Sequence, residues 1–158
     1  MTGKSKIALA LYTIRDKLST AADYAQCLKQ VRKIGYEGVE GSAIDAMTDV
    51  REYKKILDGE GLICCSNHAG EGDLREKFDT LVANAQLLCC TAIVFPYLPE
   101  KYWTEAGVKS AAAFLNETGA KLRKEAISLS WRMPSPLRSG ALVPTPRGSK
   151  PPPLKPLE

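Results

Sequence analysis

The sequence contains no apolar run that approaches the roughly 20 consecutive residues needed to cross a bilayer. Residues 1–6 lead directly into a short apolar segment, and no signal-peptide cleavage pattern follows them. These absences argue against a membrane or secreted protein, and the sequence predicts a cytoplasmic location. The 158 residues suffice for one ordinary domain with a buried core.

The chain before residue 132 has no excess of either charge. Residues 1–131 hold 17 Lys and Arg and 17 Asp and Glu, so the net charge of +4 comes from residues 132–158. Proteins that bind nucleic acid neutralise phosphates with a basic surface. A nucleic-acid partner is therefore not expected.

The cysteines lack the spacing of a disulfide framework or a common zinc site. There are five cysteines, and four of them form the adjacent pairs Cys64-Cys65 and Cys89-Cys90. The C-x2-C spacing of structural zinc sites is absent, which disfavours a zinc site built from these pairs and His68. We interpret the cysteines as buried free thiols that act as small hydrophobic side chains in a reducing compartment.

What the sequence does show is a regular alternation of short apolar strands and amphipathic helices. Five strands are predicted, at residues 7–11, 38–41, 62–66, 91–95 and 127–131. The helices between them carry apolar residues at helical spacing. Capping patterns mark helix starts at Thr20, Asp49 and Asp73, and glycines such as Gly35 mark helix ends.

This order predicts an α/β fold with a parallel sheet and right-handed crossovers. The strands are almost entirely apolar, as expected when both faces of a sheet are covered. A complete (β/α)8 barrel needs about 250 residues. Residues 6–131 supply four βα units and a fifth strand, and they are predicted to be a partial (β/α)8 TIM barrel.

Residues 132–158 have a different composition. They contain eight of the ten prolines and show no helical or strand period. Such a segment buries too little apolar surface to offset its ordering entropy, so we predict a disordered tail. Lys150-Pro151-Pro152-Pro153-Leu154-Lys155-Pro156 fits a PxxP ligand, but the preferred hypothesis is an out-of-frame sequence.

Short motifs stand at successive strand ends. They are Leu11-Tyr12-Thr13-Ile14-Arg15-Asp16, Ile34-Gly35-Tyr36-Glu37-Gly38-Val39-Glu40, Ser66-Asn67-His68, Pro96-Tyr97-Leu98-Pro99 and Leu115-Asn116-Glu117. By the order and spacing of these motifs, residues 6–131 resemble the first half of the xylose isomerase-like family of sugar phosphate isomerases and epimerases.

The resemblance implies a complete barrel that binds one divalent cation (Mn, Mg or Zn) and moves a proton beside the carbonyl of a sugar. It also implies metal ligands at the ends of strands five to eight. Relatives continue strand five into a His-Asn-His stretch with a ligand Glu beyond it, whereas this chain reads Arg132-Met133-Pro134-Ser135. We therefore expect a truncated, inactive chain with no catalytic residue and no metal ligand.

Five residues are candidates for contact with a sugar, because they end predicted strands, where barrels carry their active sites. His68, the only histidine, either contacts the substrate or is a hydrogen-bonded structural residue. Glu40 binds a sugar hydroxyl or nearby backbone amides. Tyr12 and Tyr97 either wall a pocket or cap the barrel, and Trp131 either stacks on a sugar or packs within the barrel.

Three functions stay open at this point. The first is a sugar isomerase or epimerase fold whose chain is inactive alone. The second is a non-catalytic interaction protein that uses the half barrel and the PxxP tail. The third is a barrel of the endonuclease IV type, which the neutral charge of residues 1–131 disfavours. Open sheet edges also predict self-association.

Overall fold

The computed structural model describes residues 7–41 and 49–131, which form one parallel five-stranded sheet with helices packed against it. The strands are hydrogen-bonded in chain order. They are β1 (Ala8–Ala10), β2 (Gly38–Gly41), β3 (Ile63–His68), β4 (Ala92–Phe95) and β5 (Ser128–Trp131). The predicted α/β fold with five parallel strands is confirmed. The predicted disordered tail lies outside the described residues.

Five helices connect these strands, together with short 3-10 segments at Leu11–Lys17 and Glu100–Tyr102. The helices are α1 (Ala21–Ile34), α2 (Val50–Glu60), α3 (Glu71–Glu76), α4 (Phe78–Leu87) and α5 (Glu105–Lys124). Across the described ranges, no helix has both the length and the apolar character that a bilayer crossing requires.

Helix α1 begins and ends as its sequence predicts. The Thr20 hydroxyl accepts a hydrogen bond from the Asp23 amide at 3.2 Å, which satisfies one of the free N–H groups of the first turn. Gly35 ends the helix with φ of 113°, a conformation that a side chain would strain. Asp49 caps α2 similarly, by accepting from the Arg51 amide at 2.8 Å.

Several predicted boundaries differ from those of the structure. The helix expected to start at Asp73 begins at Glu71, because the Asp73 carboxylate reaches back to the Gly70 amide at 3.2 Å. The single predicted helix is divided into two, α3 and α4, which meet at Lys77 with φ −125° and ψ 27°. The first strand stops at Ala10, and Leu11 opens a 3-10 segment instead of continuing the strand.

One face of the sheet packs against the helices. Right-handed crossovers place all connecting helices on this side, which we call the covered face. Val39, Cys64, Ile93 and Phe95 lie in the core, each at most 4% exposed. Burial of apolar side chains on this face is the main source of stability.

Residues that alternate with these core positions lie on the opposite side, which we call the open face. Glu40 is paired with Ala10, and His68 is paired with Val94, which is paired in turn with Ser130. Ile63 is 48% exposed there. The open face is thus more polar and more exposed to solvent than expected for a sheet that is covered on both faces.

Candidate functional site

The predicted site residues Glu40 and His68 lie together on the open face, at the carboxyl ends of β2 and β3. The Glu40 Oε1 atom is 3.1 Å from His68 Nε2, and Glu40 Oε2 accepts from the Ser66 hydroxyl at 2.8 Å. The side chains of Glu40 and His68 are each 13% exposed. We call Glu40, Ser66 and His68 the polar cluster.

An irregularity in strand pairing brings Ser66 into the polar cluster. Val39 is paired with Cys64, whereas Glu40 is paired with Ser66, so Cys65 is an extra residue in β3. Such a bulge shifts the alternation of side chains, and Ser66 thereby faces the same side as Glu40. The Cys65 thiol donates to the Val39 carbonyl oxygen at 3.2 Å and fixes the bulge.

Tyr12 and Tyr97 lie beyond the carboxyl ends of β1 and β4, as predicted, and both are exposed, at 56% and 61%. The guanidinium of Arg15 stacks on the Tyr12 ring, 4.2 Å from its centroid, and donates to the Tyr12 carbonyl oxygen. This contact orients the ring at the rim of the sheet. Whether either tyrosine contacts a substrate stays a prediction.

Trp131 ends β5 but is placed differently from Glu40. It is paired with Phe95 and follows Leu129 by two residues, and Leu129 packs near Gly119 of α5. Alternation along the strand therefore directs Trp131 to the covered side, although it is 42% exposed. A sugar contact by Trp131 stays a prediction that this register does not favour.

A second polar group at the same edge of the sheet was missed from the sequence. The Glu71 carboxylate accepts from the Tyr102 hydroxyl at 2.6 Å and from Arg75 Nε at 2.8 Å, and it pairs with Lys101 Nζ at 2.7 Å. Arg75 in turn stacks on the Phe114 ring. Glu71 thus joins the loop after β3 to the loop after β4.

The hydrogen bonds to Glu71 change its ionisation. Burial alone would raise the pKa of this carboxyl group, but donation by Lys101, Tyr102 and Arg75 outweighs burial and lowers the pKa to about 2. Glu71 therefore stays ionised at neutral pH, and all three donors are engaged in holding the loops. The arrangement is that of a structural anchor.

Neither of two cavities lined by described residues is both large enough and close enough to the polar cluster to enclose a sugar. One beside His68 measures about 30 Å³ and is lined partly by Asn67, Lys77 and Thr80, which is room for a water molecule only. A larger one, about 290 Å³, lies among helices α3, α4 and α5 and includes Phe114. Glu40 and His68 lie on the open face, and a ligand of the polar cluster would approach them from that side.

A divalent cation, which the family resemblance implies, does not fit the described residues. Within residues 7–41 and 49–131, no group of three or more His, Cys, Asp or Glu side chains could hold a metal ion. Glu40 and His68 are two side chains of these types, and they are hydrogen-bonded to each other. Catalytic metal sites usually use three protein ligands, so we assign no metal-dependent step to these residues.

Comparison with solved structures identifies the architecture. A sugar phosphate isomerase/epimerase from Parabacteroides distasonis superposes with a TM-score of 0.63 and 21% identity, over 83% of this chain and 52% of that one. A xylose isomerase domain containing protein from Salmonella typhimurium gives 0.60 and 14%, over 78% and 47%. The described residues therefore have the fold of half a TIM barrel.

The same barrel half also matches a protein of different described activity. An AP endonuclease, family 2, from Brucella melitensis gives a TM-score of 0.60 and 15% identity, over 80% of this chain and 55% of that one. No family model matches the sequence, and no curated protein matches it. The chain spans about half the length of these solved structures. Their similarity to it establishes the fold and leaves the activity open.

Proposed function

We propose that the polar cluster of this TIM barrel half binds hydroxyl groups of a sugar or polyol. The observation that carries the proposal is the Glu40–His68 pair on the open face, 3.1 Å apart, where the carboxyl ends of β2 and β3 meet. Active sites of TIM barrels lie at this end of the strands. A related solved structure is described as a sugar phosphate isomerase/epimerase, which agrees with this class of ligand.

The chemistry of the polar cluster suits a hydroxyl ligand. A sugar hydroxyl donates one hydrogen bond and accepts others. The Glu40 carboxylate accepts, while the Ser66 hydroxyl and a His68 ring nitrogen each either donate or accept. Since Glu40 Oε2 already holds Ser66 and Glu40 Oε1 holds His68, the acceptor is fixed in place before a ligand arrives.

The proposal does not extend to catalysis by this chain. Proton transfer beside a carbonyl needs an acid and a base near the reacting carbon, and the family resemblance places these residues on strands five to eight. We therefore propose that residues 7–131 bind a sugar and that the 158-residue chain does not turn it over. The second function, a PxxP interaction protein, depends on residues outside the described ranges and stays a prediction.

Binding can be tested with His68 as the reporter, because the chain has a single histidine and thus a single imidazole C2–H signal. The full chain is titrated with D-fructose and, separately, with D-fructose 6-phosphate. We expect this signal to shift and saturate with at least one of the two sugars. Glu40→Gln should weaken binding at least tenfold, because it removes the charged acceptor.

The matched control is Glu117→Gln, the same change at a carboxylate on α5 that pairs with Lys121. It should leave the titration unchanged.

A coupled ketose–aldose assay with added Mn²⁺ tests turnover, and we expect none. No shift with either sugar would refute the binding proposal, and measurable turnover would refute the proposed inactivity. A short DNA duplex as a third ligand should bind weakly at most, because residues 1–131 carry no net charge.

A further inference from the structure

The larger of the two cavities, about 290 Å³, lies between α5 and the helices α3 and α4, and we call it the helix cavity. None of its lining residues belongs to a strand or to the polar cluster, so it is separate from the candidate site on the open face. Ligand pockets span roughly 300–1,000 Å³. The helix cavity is near the lower end of this range and suits a ligand smaller than a drug-sized molecule.

Apolar side chains form two walls of the helix cavity. Leu74 of α3 and Phe78 of α4 supply one wall, and Phe114 of α5 supplies the other. Leu74 is 4% exposed, and both phenylalanines are partly buried against the core. Aromatic side chains offer a ring a large apolar contact with a defined geometry. The walls therefore suit a ligand that contains an aromatic ring.

A buried hydroxyl also lines the helix cavity. Thr118 of α5 is only 5% exposed. Within residues 7–41 and 49–131, no hydrogen bond joins its hydroxyl to another residue, and the fully enclosed polar atoms without a partner belong to Tyr53 and Asn67 instead. A buried polar group that lacks a partner costs free energy. The Thr118 hydroxyl is therefore available to bind a polar group placed in the helix cavity.

Cationic groups outnumber carboxylates along the helix cavity. Arg75 and Lys121 line it with one carboxylate, Glu117, which pairs with Lys121 Nζ at 2.7 Å. Arg75 donates from Nε to Glu71, and its Nη2 atom lies 3.5 Å from the Tyr102 hydroxyl. Its Nη1 atom has no hydrogen-bond partner in the described part of the chain. With two cations and one carboxylate, the lining carries a net charge of +1, which favours an anionic ligand.

The spacing along α5 allows one ligand to touch these groups together. Phe114, Thr118 and Lys121 are separated by four and three residues, and side chains at such spacing lie on one face of a helix. Arg75 faces them from α3, with its guanidinium carbon 3.9 Å from the centre of the Phe114 ring. The cationic groups and the aromatic wall are therefore adjacent, so a ligand that carries a carboxylate next to a ring can contact both.

We propose that the helix cavity binds a small aromatic monocarboxylate, a class that includes phenylacetate. The carboxylate lies between Arg75 and Lys121, and the Thr118 hydroxyl donates a further hydrogen bond to it. The ring packs against Phe78 and Phe114. One negative charge on the ligand balances the net charge of the lining, whereas the apolar walls disfavour an inorganic anion such as phosphate. This inference does not depend on the proposed sugar binding.

The test titrates the isotope-labelled full chain with phenylacetate and follows the backbone amide signals of Thr118 and Leu74 by NMR. We expect saturable shifts at both positions and no shift of the His68 imidazole signal, because the helix cavity and the polar cluster are separate. Two further probes carry the same ring. Phenethyl alcohol lacks the charge and phenethylamine reverses it, so each should bind at least tenfold more weakly than phenylacetate.

Two variants test the polar contacts. Thr118→Val keeps the shape of the side chain without its hydroxyl, and Lys121→Met keeps an unbranched apolar side chain without its charge. Each should weaken phenylacetate binding at least threefold. Because Lys121 is 56% exposed, its substitution is compatible with the fold. The matched control is Lys124→Met, at an exposed lysine of α5 that does not line the helix cavity, and it should leave binding unchanged.

The proposal is wrong if phenylacetate causes no saturable shift at Thr118 and Leu74, or if phenethyl alcohol binds equally well. It is also wrong if Lys121→Met binds phenylacetate as tightly as Lys124→Met does. Shifts concentrated at His68 would place the ligand on the open face and would equally overturn the assignment to the helix cavity.

Discussion

The two faces of the sheet differ in what they contribute. On the covered face, Val39, Ile93 and Phe95 are at most 1% exposed and pack against helices. On the open face, Ile63 is 48% exposed, and the polar cluster occupies the strand ends. One layer of helices is therefore sufficient to build a core, and the open face remains available for a ligand or a second protein surface.

Two partly buried carboxylates, Glu71 and Glu40, differ in the same way. Glu71 and Glu40 are equally shielded, with side chains 13% exposed. Glu71 is held by three donors that link two loops, whereas Glu40 orients a histidine and a serine on the face that helices leave uncovered. The exposure of a carboxylate therefore does not tell whether it holds loops together or could bind a ligand. Its hydrogen-bond partners distinguish the two roles.

The largest effect is expected from the same substitution made on each face. Ile93→Ala removes a fully buried side chain from the covered face and should lower the free energy of unfolding by about 2–5 kcal/mol. Ile63→Ala on the open face should cost less than about 1 kcal/mol, because Ile63 is already half exposed. Urea unfolding of both variants measures the difference, and equal losses would contradict the distinction between the faces.

A smaller effect is expected from Glu71→Gln. At pH 7 it should lower the free energy of unfolding by about 1–2 kcal/mol, a modest figure because Lys101 and Arg75 are 61% and 48% exposed and screened by solvent. The folded-state pKa of about 2 lies below the ordinary value of 4.5. The contribution is therefore complete above pH 4.5 and is lost as the pH falls towards 2.

Urea unfolding of Glu71→Gln and of the unsubstituted chain at pH 7 and pH 2.5 tests this dependence. The difference between the two proteins should shrink at the lower pH. Glu117→Gln, at an exposed carboxylate on α5, should leave the free energy of unfolding almost unchanged at pH 7. A difference for Glu71→Gln that is the same at both pH values would rule out the anchor role.

The smallest effect, with the opposite sign, is expected at Tyr53 beneath the covered face. Its hydroxyl is buried and finds no hydrogen-bond partner within the described part of the chain. Tyr53→Phe removes a polar group that gains nothing from burial, so stability should stay equal or rise by up to about 1 kcal/mol. Thermal unfolding measures this, and a loss above about 1 kcal/mol would show that the hydroxyl is satisfied.

Local patterns predicted most of the architecture. The caps at Thr20 and Asp49 and the glycine at position 35 depend on contacts within a few residues, and the structure confirms all three. The start of α3 was missed, because Asp73 reads as a cap but acts from inside the first turn. The predicted burial of all cysteines is wrong for Cys65 and Cys89, which are exposed.

The candidate site was predictable only in part. Glu40 and His68 were found because residues at strand ends meet at one edge of a parallel sheet. Ser66 entered the polar cluster through a bulge that no sequence period reveals. Glu71 and Tyr102 are 31 residues apart, and their hydrogen bond depends on how two loops pack.

The sequence by itself determined the order of the strands, the caps of α1 and α2 and the parallel arrangement, because these follow from short-range periodicity and backbone chemistry. Only the tertiary structure decided which side of each strand is covered and which side chains meet in the polar cluster. Those outcomes depend on strand register, and a shift of one residue moves a side chain to the other face.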